Sequence, residues 1–398
     1  MMIMNVDIYN ALTAAIDRDK LIQRLCELVA IRSENPFGAA PGEGRREKEI
    51  GEYYADALHR LGLDVDYNEI RPGRPNVFGR RRGSGGGMTL MLAGHLDTVD
   101  TRGYDDAYDV RLEDGKVFGR GACDMKGALA AYLEVARLIK EADLNLKGHL
   151  IIGGVADEEH RMIGSRHVGA NGPRADRGII GEPSDLDVCP ANKGQLGVII
   201  RTLGRAVHSS IPEKGVNAIV HMAKVIEAFA DYNAALLNTA PHPLCGHGRF
   251  SPGVIRGGNI LSTVPDRCAL EVERRIIPGE TVPAVLAELR ARLDRLAQTV
   301  PDFKYEMTAP TWDIPANDVP VTEPVVQSLL KAHAEVIGKP ARVRAFAAGT
   351  DAPNLGFPAV ICGPGSIDQA HSLNEYLAVD QLVAAVKIYL WCVLDLLG

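Results

Sequence analysis

The sequence lacks any CxxC pair, and its seven cysteines (Cys26, Cys123, Cys189, Cys245, Cys268, Cys362 and Cys392) are odd in number and scattered. That excludes a disulfide framework or a cysteine-ligated zinc site and fits reduced thiols in a cytoplasmic protein. A basic surplus is also missing. The net charge of −7 argues against a general nucleic-acid binder. The single basic cluster, Arg80 to Arg82 ahead of GSGGG, reads as a solvated hairpin tip. No basic segment precedes an apolar one at the N-terminus, so no signal peptide is read. The apolar stretch from Leu382 to Leu397 is broken by Lys387 and Asp395, which makes it a buried amphipathic helix and no membrane span. The expectation is a cytoplasmic protein with no nucleic-acid or membrane partner.

Several catalytic signatures are absent as well. GRGACD lacks the third glycine of a dinucleotide fingerprint and follows no clear strand. There is no G-x-S-x-G nucleophile elbow. The pair Glu159–His160 lacks the upstream histidine of an H-x-x-E-H zinc site, because position 156 is alanine.

What remains is an ordinary globular composition, 46% hydrophobic and 24% charged, in 398 residues. That length predicts two domains. Short apolar runs (Met88–Ala93, His149–Val155, Gly178–Ile180 and Ala359–Cys362) alternate with helical patterns at Asp19–Ala30, Arg45–Leu61, Lys126–Lys140 and Asp380–Leu396. This is the pattern of an α/β fold with parallel strands. Asn76–Arg80 and Met88–Ala93 are expected to pair as a hairpin across the arginine–glycine tip. Between about Gln195 and Met307 the texture becomes alternating strands (Gln195–Leu203, Ala269–Ile277) with two long helices, Val216–Leu237 and Thr281–Ala297. An inserted α+β domain over residues 194–308 is expected, splitting a catalytic domain of 1–193 and 309–398. Gln195–Leu203 could be the edge of a dimer interface or an internal strand.

The acidic stretch VADEEH, directly after the run LIIGGVA, points to function. Three adjacent carboxylates repel one another and cannot all enter a dry core. Other strand candidates end in the same way: His95 and Asp97 in AGHLDTV, Glu182 in GEP, and His371 a short loop after Ala359–Cys362. Asp124, in GRGACDMKG, could join them. Ligands bind at the carboxyl ends of strands in open α/β sheets, and a histidine–carboxylate set suits a zinc-like ion. His95 and Asp97, two apart on an extended strand end, leave the same face. Asp97 is therefore read as the carboxylate that fixes the His95 tautomer.

Taken in order, GHLDTV, GRGACDMKG, DEEH, GEP, GRAVHSS, GTDA and GPG followed by AHSLNE resemble a zinc amidohydrolase and metallopeptidase family. It includes acetylornithine deacetylase, succinyl-diaminopimelate desuccinylase, aminoacylases and glutamate carboxypeptidases. The resemblance runs from about His95 to Glu375. It implies a di-zinc exopeptidase-like catalytic domain, with a mixed, mostly parallel sheet flanked by helices, and an inserted lid or dimerisation domain. It further implies two zinc ions, with cobalt or manganese as substitutes. His95 and Glu182 would hold one, Glu159 and His371 the other, and Asp124 would bridge both. Glu158 would be the general base and Asp97 the partner of His95. His208 would donate to the oxyanion from the neighbouring subunit of a homodimer. Arg275 would bind the substrate carboxylate, with Arg274 the competing choice, and Ser262 and Gly349 would contact substrate.

The implied activity is hydrolysis of the amide bond of an N-acyl amino acid, or of a short peptide on the same scaffold. A non-catalytic binding protein is the remaining alternative, and the intact ligand set with Glu158 argues against it. Three departures from the family pattern touch no metal ligand. Ser262 stands where many members have asparagine, Asp100 replaces a proline, and GYDDAYD replaces W-x-x-D-P-F.

Overall fold

The computed structural model describes residues 6–42 and 45–398. The chain forms two compact units. The first holds the chain up to Pro190 together with Val319–Phe346 and Thr350–Gly398; the second holds Ala191–Asp318 and Ala347–Gly349.

The first unit is built on a mixed sheet. Six of its strands are β1 (Asp64–Arg71), β2 (Arg74–Arg81), β3 (Thr89–His95), β4 (His149–Val155), β5 (Arg177–Ile180) and β6 (Ala359–Ile361), in spatial order β1-β2-β4-β3-β5-β6. The run from β4 through β3 and β5 to β6 is parallel. β3 and β4 are buried nearly throughout, as parallel strands covered on both faces must be.

The expected hairpin between residues 76–80 and 88–93 does not form. β2 pairs antiparallel with β1 on one side and with β4 on the other, while β3 pairs in parallel with β4. Both ladders of β2 are therefore occupied, and Arg82–Gly87 only carries the chain across. β1 carries little sequence signal, since it is mostly exposed and its apolar alternation stops after Tyr67.

Helices Arg18–Ala30, Gly127–Glu141 and Val379–Leu397 pack over the sheet and form its core with it. Asp17 caps the first of these by accepting from the Lys20 amide at 3.1 Å. Gly127–Glu141 is buried along nearly its whole length, and its Glu134 is paired with Arg24 and Arg137. Tyr132 on this helix donates to the Ala93 carbonyl at 3.2 Å, and Tyr389 on the last helix donates to the Cys362 carbonyl at 2.8 Å. These bonds tie the helices to the ends of β3 and β6. Gly181 and Gly363 let the loops after β5 and β6 touch, since a Cβ on Gly363 would lie 2.0 Å from the Gly181 carbonyl oxygen.

The second unit is an antiparallel sheet in the order Arg249–Gly257, Arg267–Ile276, Gly194–Leu203, Lys304–Met307. Helices Ala218–Leu237 and Val282–Thr299 pack on it around Leu196, Val198, Ile200, Phe229, Leu270 and Leu289. Gly194–Leu203 is internal, and Arg249–Gly257 forms one edge, with Lys304–Met307 at the other. The unit runs to Asp318, past the expected 308, because Trp312–Ile314 adds to Gly194–Leu203. Among the described residues no helix is long and apolar enough to cross a membrane.

Candidate metal centre

β3 ends on His95, β4 leads into Asp157–Glu158–Glu159, and β5 leads through Gly181 into Glu182. Asp124 sits in the tight turn Ala122–Lys126 ahead of the helix Gly127–Glu141, with a cis peptide to Met125. His371 follows β6 with a left-handed backbone, φ 62°. The fold brings the side chains of His95, Asp124, Glu158, Glu159, Glu182 and His371 together.

Among the described residues three overlapping sets have ligand atoms within 4.8 Å of one another: His95, Asp124 and Glu182; Asp124, Glu159 and His371; and His95, Glu158 and Glu159. Asp124 belongs to the first two. Its Oδ1 is 3.0 Å from His95 Nε2, and its Oδ2 is 3.4 Å from His371 Nε2. Glu159 Oε2 lies 3.1 Å from His371 Nε2, and Glu182 Oε2 lies 3.8 Å from His95 Nε2. Oε1 of both Glu159 and Glu182 is buried without a hydrogen-bond partner. A buried carboxylate oxygen left unpaired is costly unless a cation answers it. The donor set therefore fits divalent metal.

Asp97 meets His95 through its backbone rather than its carboxylate. His95 Nδ1 meets the Asp97 backbone carbonyl at 2.8 Å, whereas the nearer carboxylate oxygen is 3.8 Å away. The carboxylate is drawn instead to backbone donors, accepting from the Glu158 and Glu159 amides at 3.1 Å each. Asp97 thus fixes the His95 tautomer through its carbonyl and the glutamate turn through its side chain.

Glu375, at the end of AHSLNE, is buried behind Asp124. It accepts from the Cys123 and Asp124 amides at 2.9 and 3.0 Å and pairs with Arg120 at 2.6 Å. Asp351, in GTDA, is another buried carboxyl with no role read from sequence. Burial pushes it up to about 7, and Glu158 and Glu182 both feel its charge.

Burial raises the carboxyls of Glu158, Glu159 and Glu182 alike. Burial, reinforced by the charge of Glu182, holds the Glu158 carboxyl well above the ordinary range. A raised carboxyl suits a proton shuttle. Burial opposes ionisation of Asp124, but hydrogen bonds from His371 and His95 outweigh it and hold Asp124 below the ordinary range. Contacts with Asp124 and Glu159 push His371 up to about 10. Burial opposes the charge on His95, yet the contact with Asp124 and the charge of Glu182 raise it well above the usual histidine value.

A cation that ligates the two imidazoles displaces the protons that these contacts favour. Binding should release protons and tighten as pH rises. Calorimetric titration with zinc near pH 7, in buffers of different ionisation enthalpy, should read about one proton or more released per ion. Proton uptake, or affinity independent of pH, would contradict this arrangement.

Of the other expected site residues, Arg274 is fully buried, donates to the Tyr232 hydroxyl at 3.0 Å and pairs with Glu280. It is committed to the packing of the second unit. Arg275 is partly exposed and its side chain pairs with Glu273 at 2.6 Å. His208 is exposed with Ser210 against its Nδ1 at 2.8 Å, and the Ser209 amide donates to the Ser262 carbonyl at 2.9 Å. His208 and Ser262 therefore lie on adjoining segments. Gly349 belongs to the second unit.

Fold and site together define a metal-dependent hydrolase. The chain belongs to peptidase family M20/M25/M40, whose model matches residues 91–395. It is similar to an acetylornithine deacetylase of Vibrio vulnificus, 32% identical, covering 87% of this chain and 91% of the relative. It also resembles N-formyl-4-amino-5-aminomethyl-2-methylpyrimidine deformylase of Bacillus subtilis, 29% identical over 94% of this chain and 95% of the relative. Among solved structures, a tripeptidase from Staphylococcus aureus superposes with a TM-score of 0.77 at 24% identity, over 96% of this chain and 99% of that one.

Proposed function

We propose that this protein cleaves the amide bond of an N-acyl amino acid, as a deacylase of the acetylornithine deacetylase kind. The observation that carries the reading is the pair of ligand sets sharing Asp124, with Glu158 beside them. Similarity to the deacetylases over most of both chains supports the substrate class. His95, Asp124 and Glu182 would hold one divalent ion, and Asp124, Glu159 and His371 a second. Zinc is the proposed metal, with cobalt or manganese as substitutes. Ions bound there supply Lewis acidity and allow water to act as nucleophile at neutral pH. Glu158 takes the proton of the attacking water and passes it to the leaving amine. Arg275 is the proposed carboxylate anchor, since Arg274 is locked in the core; its fork suits a bidentate carboxylate contact. Ser262 and Gly349 are proposed substrate contacts, and His208 a proposed donor to the carbonyl oxygen, supplied by a second copy of the chain.

The inserted unit supports a homodimer. Among the described residues its edge strand Arg249–Gly257 pairs with a neighbouring strand on one side only, and Val254, Ile255, Ile260, Leu261 and Val220 are exposed nearby in the same unit. An open edge beside exposed apolar side chains is a pairing surface.

The deformylase relative favours a second reading, hydrolysis of an N-formyl amide on a heteroaromatic amine. A panel of N-acetyl, N-succinyl, N-carbamoyl and N-formyl amino acids, N-formyl aminomethylpyrimidines and simple dipeptides separates the readings. With added zinc, the N-acyl amino acids should be cleaved fastest, and a chelator should abolish the activity. Faster cleavage of the formyl pyrimidines or the dipeptides would overturn the substrate assignment.

A further inference from the structure

We infer that Arg74 and Asn35 are positioning residues that set the backbone of the Asp157–Glu158–Glu159 turn and so aim the base. The inference builds on the reading of Glu158 as that base. Asp157 begins the turn with φ 71°. A left-handed backbone at a residue other than glycine is uphill, and it persists only where the surroundings fix it.

Here they do. The Asp157 amide donates to Glu47 Oε1 at 3.0 Å. Its Oδ1 accepts from Arg74 Nη2 at 2.9 Å and from Asn35 Nδ2 at 3.0 Å. Its carbonyl closes the turn by accepting from the Arg161 amide at 3.2 Å. The same Asn35 amide donates to Asp97 Oδ2 at 2.7 Å, and Asp97 in turn holds the Glu158 and Glu159 amides. Asn35 therefore couples the first residue of the turn to the carboxylate that anchors the next two.

Arg74 makes this assembly of acids tolerable. Glu47, Asp97 and Asp157 are all buried, and the guanidinium forms a two-pronged pair with Glu47 while its side chain is only 7% exposed. A planar fork reaches both Glu47 oxygens and Asp157 together, whereas an ammonium is a point charge without that geometry. Asp124 and Glu182 take no part in these contacts, and His95 is met by the Asp97 backbone carbonyl, not by the carboxylate that Asn35 holds. The effect falls first on the orientation of Glu158 and Glu159.

The test uses the full-length, zinc-saturated protein with Arg74→Lys and Asn35→Ala, the second leaving the buried Arg74–Glu47 pair intact should the first fail to fold. Groups behind a metal site typically cost about 10–100-fold when removed. Each variant should lose kcat in that range, with KM within about twofold and metal content unchanged. Amide exchange of the peptide spanning 155–162 should accelerate in both. The exchange measurement needs no substrate, so it stands even if the wild type cleaves nothing on the panel, an outcome that would sink the functional reading alone. Variants with wild-type exchange, or with wild-type kcat per folded molecule, would overturn the inference.

Discussion

Glu158→Ala should give a folded, metal-loaded protein that turns over its substrate about 10²–10⁴-fold more slowly than wild type, the range spanned by removal of a positioned acid–base group. The side chain lies beside His95 and Glu159, yet the two ligand sets that share Asp124 are complete without it. Metal content should therefore hold. Its backbone amide is anchored by Asp97 and is retained in the variant, so Glu159 should keep its place. Loss of the carboxylate removes only the group that receives the proton and returns it to the leaving amine. Turnover and metal analysis on the same sample decide the matter. Near wild-type kcat would remove Glu158 as base, and loss of metal would make it a ligand instead.

Much of this site was legible because parallel strands deliver their ends to one edge of a sheet. Histidines and carboxylates placed just after apolar runs must then meet, as His95, Glu159 and Glu182 do. The less visible parts have physical reasons. β1 is polar and mostly exposed, so little in its pattern warned that it occupies the partner position assigned to residues 88–93. Trp312–Ile314 is a three-residue strand whose only signal is its pairing with a distant neighbour. Arg74 is 27 positions from Glu47 and 83 from Asp157, and Asn35 is 62 from Asp97. Each is an ordinary polar residue along the chain and becomes significant only through folding. Asp97 was placed at the right spot, but spacing alone could not show that backbone amides would claim its carboxylate.

Asp124→Ala should be more damaging still, and in a way that tests the shared site. Replacing Glu182 takes one ligand from the set containing His95, and replacing Glu159 takes one from the set containing His371. Asp124 is the one residue common to both. Its two oxygens face opposite imidazoles, at 3.0 and 3.4 Å, which is how a carboxylate must lie to serve two cations at once. The variant would leave two carboxylate–imidazole pairs with nothing between them. Mutual repulsion of two cations would then lack the anion that offsets it.

Metal content should fall further in Asp124→Ala than in Glu182→Ala or Glu159→Ala. Activity should fall beyond the roughly 100-fold that groups behind metal ligands cost, without rescue by excess zinc. The turn itself should survive, because Glu375 holds it through the Cys123 and Asp124 amides, which alanine keeps. Metal analysis of the three variants, with circular dichroism as a control for folding, reads the ranking directly. An Asp124→Ala protein with wild-type metal content would show that the two sets are independent and that the shared carboxylate is incidental.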